Sequence, residues 1–159
     1  MSFASDLLEQ ATHLAHREPE VPKQASLRRA VSTAYYALFH LLIDEAVNKW
    51  AVDRQRSALA RTIDHVGIKE KCADLLKRAK RDSDVPAGLT TVAQHFIELR
   101  AQRSLADYDN SKQWSRADVQ DVLDSTESAF SAWTTIRHQP IAEDFLMQLL
   151  FPKLPKTLR

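Results

Sequence analysis

The apolar run LRRAVSTAYYALFHLLI, Leu27 to Ile43, carries two arginines, a serine, two tyrosines and a histidine at spacings that could do chemistry. At helical steps from Ser32, Tyr36 falls at about 40°, Arg29 at about 60° and His40 at about 80°, a polar stripe one side chain wide. Polar groups on so apolar a helix need partners, because an unpaired buried one costs about 1–3 kcal/mol. A later stretch offers them. Leu89, Val92, Phe96 and Leu99 recur at helical spacing and the same face continues to Arg103, with Asp107 one turn further on. Arginine and aspartate four apart on a helix pair readily. The expected constellation is therefore Arg103, Asp107, Tyr36 and His40, with Arg29 and Ser32 on the same stripe. Such a cluster fixes helix register, binds an anion or moves a proton.

Other chemistries find less support. The histidines at 13, 16, 40, 65, 95 and 138 form no ligand pattern with carboxylates or cysteine, so no metal is expected. The two glycines, Gly67 and Gly88, are too far apart to build a phosphate-cradling loop, and no nucleophile motif of a serine triad is present. No cofactor is implied. Of the three tryptophans, Trp133 fits a core period, whereas Trp114 stands in a loop just before a helix start and is the one to test as a base-stacking contact. Cys72, the only cysteine, reads as a small buried side chain and leaves no internal disulfide.

The elements that must position these residues are all helical. With two glycines and no alternating strand pattern, the periodicity predicts a first helix on Phe3, Leu7, Leu8, Ala11, Leu14 and Ala15, then a second from about Pro22 to Trp50. A third covers Arg54 to Arg81 with a break at HVGIK, and a fourth follows the turn RDSDVPAG. Ser115 and Asp118 read as the capped start of a fifth, on Val119, Val122, Leu123, Thr126, Ala129, Phe130, Trp133 and Ile136. The expected fold is an all-α, antiparallel up-and-down bundle of four to five helices over residues 1–139, with an apolar helical appendage and basic tail over 140–159. That appendage, Ile141 to Phe151, holds more apolar surface than a short helix needs. It closes the bundle or forms an oligomer interface, and the interface is the preferred expectation.

Size and charge set the outer bounds. At 159 residues the chain is one ordinary domain, and its net charge of +1 leaves no global footprint for nucleic acid. The distribution is uneven. Arg54 to Arg81 holds nine Lys/Arg against three Asp/Glu, and Asp82 to Phe145 five against eleven. The N-terminal MSFASDLLEQ lacks a basic segment followed by an apolar one, and no run approaches a membrane span, so a cytoplasmic protein without membrane contact is expected.

RRAVSTAYYALFHLLIDEA followed by ELRAQRSLADYD resembles the HEPN superfamily, in particular its small stand-alone bacterial members with a YYAxFH helix and an RxxADY helix end. The resemblance covers about Leu7 to Ile136. It implies a helical bundle that is frequently a homodimer, in a superfamily rich in metal-independent ribonucleases and including toxins paired with nucleotidyltransferase-type antitoxins. The family's nuclease motif is an arginine and a histidine with four to six residues between. Here Arg103 supplies the arginine and Tyr108 stands where the histidine would be. A free phenol titrates near about 10 and is a poor base at neutral pH. The implied catalytic candidates are Arg103, Tyr108 and, from the other helix, His40. The preferred expectation is a nucleotide- or RNA-associated binding or regulatory protein, one component of a toxin and antitoxin pair. The alternatives are an endoribonuclease acting as a dimer and a structural oligomerisation module.

Overall fold

A computed structural model describes residues 2–153, and every regular element among them is a helix. In chain order these are α1 (Phe3–Ala15), α2 (Gln24–Asn48), α3 (Asp53–Ala60), α4 (His65–Ala79), α5 (Ala87–Tyr108), α6 (Arg116–Ile136) and α7 (Pro140–Leu150). Helix α2 is the axis of an up-and-down bundle, packing against α1, α5, α6 and α7. Its Leu27, Val31, Tyr35, Leu38 and Leu42 are fully buried, as an all-round apolar helix requires. None of the described helices is long and apolar enough to cross a membrane.

The starts of the helices follow local chemistry. Ser115 accepts a hydrogen bond from the Asp118 backbone N–H while the Asp118 carboxylate accepts from that of Ser115, the reciprocal box that the sequence predicts. Pro140 opens α7, where its missing N–H costs nothing. Asp64 caps α4 by accepting from the Gly67 N–H at 2.6 Å. That cap corrects the expected third helix. The chain breaks at 61–64, ahead of HVGIK, and His65 becomes the first residue of α4 rather than part of a kink. The expected long helix divides into α4 and the short α3, which buries no residue of its own.

The end of α5 is closed from a distance. Arg28 on α2 donates through Nη1 to the carbonyls of Ala106 and Asp109, both at 2.9 Å, and through Nη2 to that of Lys112 at 2.6 Å. Gln24 clamps the following loop by exchanging two hydrogen bonds with the Trp114 backbone. Close approach of α5 to α6 depends on Gly88, whose absent Cβ would lie 2.9 Å from Ile136 Cγ2. Helix α7 differs most from expectation. Ala142, Phe145, Leu146, Leu149 and Leu150 are buried in the same core as α2 and α4, so most of the apolar surplus closes the bundle within the chain, while Met147 stays exposed. Each large side chain so buried contributes about 1.5–3 kcal/mol. Residues 154–159, most of the expected basic tail, lie outside the described residues.

Candidate functional site

Arg103 on α5 faces the aromatic side of α2, and Arg100, one turn earlier, lies near enough for its charge to act on Tyr35 and His65. The Arg103 guanidinium carbon lies 5.3 Å from the centre of the Tyr35 ring and 5.6 Å from that of Tyr36. Its carboxylate partner is Asp107, one turn further, at 3.6 Å, with the two side chains only 14% and 20% exposed. Asp107 also accepts from the Ser32 hydroxyl at 3.3 Å. A gap of 3.6 Å is a loose ion pair rather than a charge-assisted hydrogen bond. The Nε atoms of Arg100 and Arg103 are both buried with no hydrogen-bond partner, and Arg100 has no ion pair among the described residues.

Against this cationic edge stands a histidine that the sequence pattern does not single out. The Tyr35 phenol meets His65 Nδ1 at 2.7 Å, and the imidazole stacks on Phe39 with ring centres 4.1 Å apart. His65 reaches this position because the Asp64 cap starts α4 there. Burial first, then the charges of Arg103 and Arg100, hold the imidazole below the ordinary histidine range, so it is uncharged near neutral pH. Burial pushes the Tyr35 phenol well above its ordinary value despite the opposing arginines, so the hydroxyl keeps its proton. In the tautomer that carries the imidazole proton on Nε2, the phenol gives its O–H to Nδ1. The site therefore presents guanidinium N–H groups and, in that tautomer, an imidazole N–H, with Asp107 as the acceptor among them.

Of the expected constellation, Ser32, Tyr36, Arg103 and Asp107 are brought together. His40 lies on the flank, 6.5 Å from the Tyr36 ring and edge-on to Phe3 at 4.8 Å. Burial lowers its pKa and the charge that opposes this is Asp44, one turn on, rather than an arginine. Arg29 is exposed and makes no hydrogen bond to described residues; it borders a recess of about 380 Å³ with Arg28, Asp107 and Tyr108. Its neighbour Arg28 makes partly buried hydrogen bonds instead. Tyr108 is 75% exposed, because five residues past Arg103 place it about 140° around the helix, so it does not face the cluster. Trp114 is 3% exposed, packed into the core under the Lys112 ammonium, and offers no open face for a base. Trp133 is buried as its period required. Comparison with known proteins finds no matching family model, no matching curated protein and no matching solved structure.

Proposed function

We propose that this chain is a HEPN-like binding protein for a phosphate-bearing ligand, RNA or a nucleotide, held at the Arg100 and Arg103 edge of α5. One observation carries the reading: donors outnumber acceptors at this site, where Arg103 has a single carboxylate at 3.6 Å and the Nε atoms of both Arg100 and Arg103 are buried without a partner. Arg137 shows the contrast. It meets Glu45 with two hydrogen bonds, at 2.7 and 3.1 Å, as a structural ion pair does. Arg103 has one carboxylate at 3.6 Å, Arg100 has none among the described residues, and His65 is kept uncharged. An incoming phosphate supplies the missing acceptors. The basic stretch from Arg54 to Arg81 surrounds His65 in sequence and adds to the attraction. The homodimer and the nucleotidyltransferase-type partner that the resemblance implies belong to the same proposal.

The test is binding of single-stranded RNA as a function of salt. The logarithm of the affinity should fall linearly with that of salt, and Arg100→Met and Arg103→Met should each flatten the slope by roughly 0.7 for every phosphate left without its cation. Salt-independent binding, or none across RNA and nucleotides, ends the proposal. The contact of Tyr35 with His65 beside Arg103 favours a second reading, a metal-independent endoribonuclease in which His65, in place of the family's motif histidine, carries the proton. That chemistry needs the tautomer with a free Nε2, in which Nδ1–H donates to the Tyr35 oxygen. Under it, His65→Gln abolishes cleavage and spares binding; intact RNA after incubation with the parent protein dismisses it.

A further inference from the structure

Phe3 keeps 56% of its surface open to solvent, although α1 already buries Ala4, Ala11 and Ala15 against the bundle. Its ring is not isolated. It sits edge-on to His40 at 4.8 Å; His40 is 6.5 Å from Tyr36, and Tyr36 is 5.6 Å from His65 and from the Arg103 guanidinium. His40, Tyr36 and His65 are each half-buried, so every ring along this line keeps an open part. A strip of aromatic surface thus runs from the first turn of α1 to the cationic edge of α5.

We infer that Phe3, His40 and Tyr36 form the base-stacking half of a single-stranded nucleic-acid site whose phosphate half is Arg100 and Arg103. The inference rests on the phosphate-binding reading and names the form of ligand that fits it. Alternation of a cationic groove with ring faces is what an unpaired strand needs, since each of its bases has a free π-face and each link a phosphate. A duplex hides those faces, and its affinity would come from the arginines alone. Charge complementarity selects this occupant over a second copy of the chain: an apolar contact that covered Arg100 and Arg103 would bury one cation without a carboxylate and another with only a loose one.

Fluorescence anisotropy with a labelled oligouridylate, its abasic analogue of equal length, and the same strand in a duplex tests the assignment. The parent should bind the oligouridylate roughly 5- to 150-fold more tightly than the abasic strand for one stacked base, and more tightly than the duplex. Phe3→Ala removes an exposed ring and should leave the fold intact by circular dichroism. It should erase much of that preference while leaving the abasic affinity unchanged, and Arg103→Met should weaken both strands alike. Equal binding of the base-bearing and abasic strands by the parent, with arginine dependence retained, overturns the stacking strip and leaves the phosphate reading standing. Binding of neither strand overturns both. If Phe3→Ala turns a dimer into a monomer without touching the preference for bases, the ring is a subunit contact and the inference is wrong.

Discussion

Replacing Arg103 by methionine separates a scaffold from a site. The loose pair with Asp107, between side chains 14% and 20% exposed, lies between an exposed pair worth about 0–1 kcal/mol and a fully buried one whose breakage costs about 3–5 kcal/mol. Asp107 keeps the Ser32 hydroxyl at 3.3 Å, which places the cost near the lower figure, about 1–2 kcal/mol. Cation–π attraction to the faces of Tyr35 and Tyr36 adds about 0.5–1 kcal/mol each. Against these, methionine retains the packed stem, removes a buried Nε that has no partner, and ends the repulsion from Arg100. The net destabilisation should be about 0–2 kcal/mol, with each kcal/mol worth about 2–4 °C in melting temperature for a domain of this size. Binding should fall further, by about 10- to 100-fold, as charged hydrogen bonds to a ligand disappear. His65 reports the same change. Its pKa should rise, because Arg103 is the strongest charge holding it down, yet stay below the ordinary range, because burial remains. Thermal melting, RNA binding and an NMR titration of His65 read the three effects. An unmoved His65 titration refutes the electrostatic geometry, and unchanged binding refutes the function.

Tyr35→Phe should cost about 1 kcal/mol and remove the hydrogen bond that biases the imidazole tautomer, seen as convergence of the two His65 ring ¹⁵N shifts; unchanged shifts would show that the phenol does not set it. Leu146→Ala should lower the unfolding free energy by about 2–5 kcal/mol in urea without altering sedimentation, whereas a change of association state with little effect on stability would return α7 to the surface. Gly88→Ala should destabilise by about 1–3 kcal/mol despite alanine's better helix propensity, because its Cβ meets Ile136 and the Ala132 carbonyl; a stabilised variant would mean that α6 yields freely. His65 and His40 are both held below the ordinary histidine pKa, so the unfolded chain binds protons first as pH falls. Their contribution to stability should be full above about pH 6.5 and decline on acidification towards their folded values. Asp44, raised by burial, works in the opposite sense at lower pH. His65→Gln should flatten the decline, and a pH profile identical to the parent's would exclude His65 as its source.

Elements whose signals are local are legible in the sequence. The Ser115 and Asp118 box and the period of α6 lie within one segment, and the apolar breadth of α2 announces a central helix. The candidate site is half legible, since Arg103, Asp107, Ser32 and Tyr36 can be placed by counting along two helices. His65 escapes such counting because Gly67 reads as a breaker, whereas Asp64 followed three residues later by a free N–H makes the same stretch a helix start. The polar stripe of α2 favours Arg29 over Arg28, although Arg28 lies about 40° from Ser32 on the other side, nearer than Arg29 at about 60°. No count along one helix decides between them, because the carbonyls that bind Arg28 come from a loop far along the chain. Trp114 misleads for the same reason: its burial depends on a clamp from Gln24. The apolar surplus of α7 is likewise satisfied only by the partners, α2 and α4, that tertiary structure brings to it.

The reach of Arg28 has a kinetic consequence. Its three carbonyl partners are 78, 81 and 84 residues away in sequence, so the turn between α5 and α6, beyond its local Asp109 to Ser111 and Ser115 to Asp118 hydrogen bonds, is closed by a distant side chain. Its residues can form helices on either side in nanoseconds to microseconds, but the connection is set only after α2 has docked and a long loop has been closed. The α5 to α6 turn is therefore ordered late, while the pairing of α1 with α2, close in sequence, is free to nucleate the bundle. A lysine at position 28 would retain the charge but not the planar fork that spans three acceptors, so the identity of one side chain on the second helix governs when the second half of the molecule stops searching.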